Sequence, residues 1–152
     1  MRIRTAERDD IPSLETMYRT EIENHAERAQ QFADDLVLRY NTLLAIENSV
    51  ICGTVSWESR GGLDDGVVEL IGLGVNANLR RQGVGTQLVQ AMIEEATQYY
   101  KTRGYQLHVI LLFMEHENEI ARKFYTVNKF IEVASIESLY PSGDASIWTR
   151  HL

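Results

Sequence analysis

Between Val67 and Phe113 the spacing of the apolar residues changes twice, and this constrains the fold of the 152-residue chain more than any other feature. VVELIGLGV, Val67 to Val75, reads as a strand that becomes apolar on both faces toward its end, as a central strand does. From Thr86 the period is helical, with Leu88, Val89, Met92, Ile93, Ala96 and Tyr99 on one stripe until Gly104. Leu107 to Phe113 is then a continuous apolar run between polar residues, which predicts a buried strand. Strand, helix and strand in this order call for helices layered on a sheet.

The flanking segments extend that pattern. Met1 to Thr5 alternates as a short strand, and Asp9 and Asp10 are suited to start a helix carrying Ile11, Leu14, Met17, Tyr18 and Ile22. A second helical stretch is expected over Asp34 to Tyr40, followed by strands Leu43 to Ile46 and Val50 to Trp57 joined by Glu47-Asn48-Ser49. GGLDDG is a turn. Glu119 to Val127 reads as a helix, Phe130 to Ile136 as a strand, and Ser146 to Leu152 as a last strand after the turn Pro141-Ser142-Gly143-Asp144. The order β-α-α-β-β-β-α-β-α-β-β predicts an α/β domain with a mixed sheet, and the length fits one domain over residues 1–152.

Composition narrows the function classes. Cys52 is the only cysteine, so no internal disulfide forms; it sits in the apolar strand VICGTV and reads as a core residue. The first residues lack a signal-peptide stretch, and no window approaches the about 18 apolar residues of a membrane span. A soluble cytoplasmic protein is expected. Lys and Arg number 15 against 22 Asp and Glu, a net charge of −7 that repels nucleic acid and favours cationic partners. His25, His108, His116 and His151 show no metal-ligand spacing, so no metal is expected.

Arg80-Arg81-Gln82-Gly83-Val84-Gly85-Thr86 lies between the fourth strand and the third helix. A helix start offers unpaired N–H groups and positive dipole charge, and glycines let an anion approach the backbone, so the place suits a phosphate. It is neither a P-loop nor a dinucleotide fingerprint, since Lys-Ser/Thr and a third glycine are missing. The plain alternative is a glycine-rich connection.

Val75-x4-Arg80-x2-Gly83-x-Gly85, with Asn118-x2-Ala121-x2-Phe124-Tyr125-x4-Phe130 downstream, resembles the GNAT superfamily of acetyl-CoA-dependent N-acetyltransferases. Arg81 and Lys129 stand where that family often has glycine, and Asn128 is expected to take the left-handed helix-ending conformation instead. The resemblance implies a GNAT-like, mostly antiparallel seven-stranded sheet with splayed central strands and about four helices. It implies acetyl-CoA as cosubstrate, with Arg80, Arg81, Gln82, Gly83, Val84, Gly85 and Thr86 around the pyrophosphate. Leu73 and Val75 would pair with pantetheine, the Val75 amide facing the thioester oxygen, and Asn118 would bond the same arm or cap its helix.

By the same resemblance Tyr125 is the acid that protonates the departing thiolate; otherwise it packs beside Phe124. Glu69, 11 residues before Arg80, matches the general-base glutamate of the histone-acetylating branch, or is a polar residue at a strand end. Tyr140 looks like the peptide-contacting tyrosine in the hairpin of protein N-terminal acetyltransferases. Glu115-His116-Glu117 would attract a small amine, or is a solvated loop. The implied activity is acetyl transfer to a primary amine, a peptide N-terminus or a small amine, by direct attack on the thioester. A non-catalytic acyl-CoA-binding regulatory module is the competing class, and a homodimer is compatible with either.

Overall fold

The computed structural model describes residues 1–80 and 82–152. Among the described residues the elements are β1 (Arg2–Thr5), α1 (Ile11–Glu21), α2 (Ala26–Asp34), β2 (Asn41–Glu47), β3 (Val50–Arg60), β4 (Val67–Val75), α3 (Val84–Thr102), β5 (Val109–Glu115), α4 (Glu119–Val127), β6 (Ile131–Tyr140) and β7 (Gly143–His151). The strands form a mixed sheet in the order β1-β2-β3-β4-β5-β7-β6. β4 and β5 run parallel, whereas β1–β2, β2–β3, β5–β7 and β6–β7 are antiparallel. The expected α/β class, element order, sheet and four helices are all present. By internal packing the chain divides into Met1–Glu58 with Gly72–Glu94, and Ser59–Ile71 with Glu95–Leu152.

In the first unit Asp10 immediately precedes α1, but its side chain does not cap that helix. Its carboxylate takes Arg4 on both oxygens, at 2.8 and 2.9 Å, and the Glu7 amide at 2.7 Å. Pro12 follows in the first turn, where its missing N–H costs nothing. Leu14, Ala33, Leu36, Leu44 and Ile51 form the buried cluster. The second helix begins earlier than its sequence signal. α2 covers Ala26–Asp34, capped by His25 Nδ1 accepting from Arg28 N, and only then does a wide turn follow over Asp35–Arg39. Its buried residues are the small Ala29 and Ala33, and Phe32 packs half-buried beside them, its ring centroid 5.1 Å from that of Tyr18.

In the second unit β5 starts at Val109, two residues later than the apolar run, because the Gly66 carbonyl takes the amides of His108 and Val109. It buries Ile110, Leu112 and Met114 on one face and leaves Phe113 exposed, so it is not buried on both faces. On α3 the stripe ends at Tyr100, not Tyr99: Tyr100 is fully buried, its hydroxyl 3.0 Å from both Ser59 Oγ and Val67 O. Tyr99 instead lies under the Arg103 guanidinium. β6 runs on to Tyr140 and β7 starts at Gly143, so the hairpin loop shrinks to Pro141-Ser142.

Candidate active site

β4 carries three of the candidate residues, Glu69, Leu73 and Val75. Its parallel register with β5 covers Val67–Glu69 against Val109–Leu111, and β4 continues beyond that from Leu70 to Val75. Leu73 and Val75 lie on this continuation, in the first unit. The end of β4 is pinned there by Asn76, whose amide donates to Cys52 O at 2.8 Å and whose Nδ2 donates to Ile51 O at 3.4 Å. Gly53 lets the neighbouring chain close in. A Cβ on Gly53 would stand 3.0 Å from Gly74 O and from Leu88 Cδ1, so the first turns of α3 press against β3 only because that residue has no side chain.

The turn after β4 then leads into α3. Arg80 is exposed, and its Nε donates to Val75 O at 3.2 Å across the turn. Gln82 Nε2 reaches Asn78 O at 3.3 Å. Gly83 has φ +79°, a left-handed backbone that a side chain strains. Val84 is buried and begins α3, Gly85 and Thr86 follow in its first turn, and Gln87 N donates back to Gly83 O. The amides of that first turn are the donors a helix start presents to an anion. Arg81 lies outside the described residues.

Glu69, Asn118, Tyr125 and Tyr140 fall in the second unit. Asn118 caps α4, its Oδ1 accepting from Ala121 N at 3.1 Å, so the capping role is realised and its Nδ2 is the side a ligand can use. Tyr125 is 9% exposed and sits between Phe124 and Phe130, with ring centroids at 5.1 and 5.4 Å. Burial pushes its phenol up to about 12. α4 ends in a tight cap: Phe130 N donates to Tyr125 O and Lys129 N to Thr126 O. The left-handed residue is Lys129, φ +68°, not Asn128, which keeps φ −87° and uses its Nδ2 to hold Phe124 O at 2.9 Å. Lys129 thus adopts, at a steric cost, the conformation that a glycine there would take freely.

Glu69 is ion-paired. Arg60 Nε donates to its Oε1 at 2.9 Å, and the Glu69 side chain is 17% exposed. The phenol of Tyr140 is pushed upward by burial and then by the negative charges of Glu115 and Glu69. Glu115, His116 and Glu117 are exposed, as a solvated loop is, and the first two also make hydrogen bonds to the neighbouring hairpin. Glu115 accepts from Ser142 Oγ at 2.9 Å, His116 N donates to Asp144 O, and His116 Nδ1 lies 2.8 Å from Ser146 Oγ. These links fasten the β6–β7 hairpin that carries Tyr140 to the end of β5.

Sequence reasoning missed Arg60 and Arg122. Arg122 grips Glu132 of β6 with both terminal nitrogens, at 2.8 and 3.2 Å, and this guanidinium holds the Glu132 carboxyl at about 2. It ties α4, and so Tyr125 and Asn118, to the strand beside it. No local pattern announces a pair made between elements. Among the described residues no group of three or more His, Cys, Asp or Glu is placed to hold a metal ion, and no helix is long and apolar enough to cross a membrane.

A family model described as the acetyltransferase (GNAT) family matches residues 8–130. The chain belongs to that family. GNAT proteins are acyltransferases that use acetyl-CoA, which agrees with a glycine turn opening a helix after a strand. Similar solved structures include the ribosomal-protein-S18-alanine N-acetyltransferase of Escherichia coli, at 20% identity and TM-score 0.77 over 99% of this chain and 92% of that one. The ribosomal-protein-alanine N-acetyltransferase of Brucella melitensis is 22% identical, TM-score 0.75, with both chains fully covered. Arabidopsis thaliana NAA60, in complex with a bisubstrate analogue, is 16% identical, TM-score 0.75, over 99% of this chain and 97% of that one. At these identities the likeness is one of fold. No curated protein sequence matches the chain significantly.

Proposed function

We propose that residues 1–152 form one cytoplasmic N-acetyltransferase domain that moves the acetyl group of acetyl-CoA to a primary amine by direct attack on the thioester. The observation that carries the reading is Tyr125, a phenol that burial keeps protonated at any working pH, on a helix whose Asn118 cap and Tyr125 keep the family spacing. A module that only binds acyl-CoA needs no such donor. In this reading the first-turn amides of α3, with Arg80, Arg81, Gln82 and Gly83, take the pyrophosphate. The backbone of β4 beyond its register with β5 takes the pantetheine arm as an added strand, and the Val75 amide faces the oxygen that becomes anionic.

Glu69 takes a proton from the acceptor, and Tyr140 contacts it. The hairpin that carries Tyr140, tied to the end of β5 through Ser142–Glu115 and His116–Asp144, supports a peptide α-amino group as the acceptor. The named similar structures include N-acetyltransferases of ribosomal-protein alanine. The reading is tested by steady-state release of CoA with an unblocked alanine-terminated peptide and with spermidine. An α-amino group near 7.8 costs roughly 1 kcal/mol to neutralise at pH 7, against roughly 4.6 kcal/mol for a lysine-like amine near 10.4. With the peptide, Glu69→Gln should therefore lower kcat/KM mildly, and the rate should level off not far above pH 8. Turnover of spermidine alone removes the peptide assignment. Release of CoA with neither acceptor leaves the acyl-CoA-binding module.

A further inference from the structure

We propose that Arg60 is a positioning residue for the transfer: its guanidinium sets the carboxylate of Glu69 in the orientation from which it takes the acceptor's proton. The inference rests on the reading of Glu69 as the base. Arg60 is the last residue of β3, and its Nε donates to Glu69 Oε1 at 2.9 Å. Its Nη1 reaches back to Ser59 O at 3.3 Å, so the guanidinium plane is fixed at a second point. Ser59 is held in turn by the Tyr100 hydroxyl, which lies 3.0 Å from Ser59 Oγ and 3.0 Å from Val67 O, two residues before Glu69. A buried phenol thus ties the end of β3 to the start of β4 where the pair forms. Glu69 faces Leu111 of β5 in register, and its charge reaches Tyr140.

A pair as exposed as this, 39% at Arg60, adds little to stability. What a planar guanidinium adds is direction, because its donors are fixed in one plane, whereas a lysine would supply only a point charge. In the step concerned an N–H bond of the acceptor ammonium breaks and its electron pair stays on nitrogen. An O–H bond forms on Glu69, which afterwards returns the proton to water. A carboxylate free to turn would meet that hydrogen in fewer of its orientations.

The test measures kcat and the KM for acetyl-CoA for Arg60→Met and Arg60→Lys, in wild type and in Glu69→Gln, with the alanine-terminated peptide and spermidine as acceptors. With each acceptor Arg60→Met should lower kcat by no more than Glu69→Gln does, mildly with the peptide and about 10- to 100-fold with spermidine if it is turned over, at unchanged KM for acetyl-CoA, and Arg60→Lys should recover part of the loss. In the Glu69→Gln background Arg60→Met should cost nothing further. The Arg60 Nε–Hε resonance should be slow to exchange in the wild type and lose that protection in Glu69→Ala. Equal losses in both backgrounds, a wild-type kcat in Arg60→Met, or an unprotected resonance would each overturn the proposal while leaving Glu69 as the base. A wild-type rate in Glu69→Gln, or no turnover of either acceptor by the wild type, would overturn the base reading itself and Arg60's part with it.

Discussion

Burial gives Tyr125 a character that its residue type does not. A phenol near 12 and a thiol near 8.5 differ by about 3.5 units, so complete transfer of the proton to a departing thiolate is uphill by roughly 5 kcal/mol. In the proposed reading the hydroxyl therefore works chiefly as a hydrogen-bond donor to sulfur. Tyr125→Phe should lower kcat about 10²-fold, at the low end of acid–base effects, with acetyl-CoA affinity kept. A wild-type kcat would return Tyr125 to packing. The pH dependence follows in sign. A folded value raised from 10 to about 12 means stability that is complete below 10 and lost as pH rises toward 12, by up to about 3 kcal/mol. Tyr125→Phe should remove that loss, and the difference in phenolate absorbance between wild type and variant should titrate near 12. A difference curve centred at 10 would show that the phenol is not desolvated.

The elements that carry the site each contain one residue whose backbone decides the geometry. At the end of α4, Lys129 holds φ +68° in a two-bond cap that a glycine would form without a Cβ penalty. Lys129→Gly should raise stability by about 1 kcal/mol in chemical denaturation, and a loss of that size would mean that the lysine side chain contributes what the conformation costs. At Gly53 the sign reverses. Replacing a strand glycine normally gains stability, but the carbonyl of Gly74 stands 3.0 Å from the new Cβ. Gly53→Ala should cost about 1–3 kcal/mol and weaken acetyl-CoA binding about tenfold by displacing the start of α3, read by calorimetry. Binding unchanged in a destabilised variant would separate the α3 contact from the anion site.

At the scale of the whole molecule, the sequence was most legible where one short segment carries its own signal. β4 and α4 start and end where their spacing says, and the turn at Gly83 is left-handed as a glycine allows. α2 was not legible because the residues it fully buries are only Ala29 and Ala33, with Phe32 packed half-buried beside them, and Arg60 was not because its partner lies beyond a six-residue turn, Gly61 to Gly66. Net charge is legible from composition alone and acts over the whole surface. At −7 the molecule attracts cationic acceptors over roughly 10 Å at 0.1 M salt and over roughly 3 Å at 1 M. For two alanine-terminated peptides that differ only in basic or acidic residues beyond the first, kcat/KM of the basic one should fall several-fold between 0.05 and 0.5 M salt, while that of the acidic one should rise. Saturating acetyl-CoA keeps the cosubstrate's own charge out of the comparison. If both peptides shift in the same direction, acceptor choice is set by contacts at the Tyr140 hairpin rather than by the field of the protein.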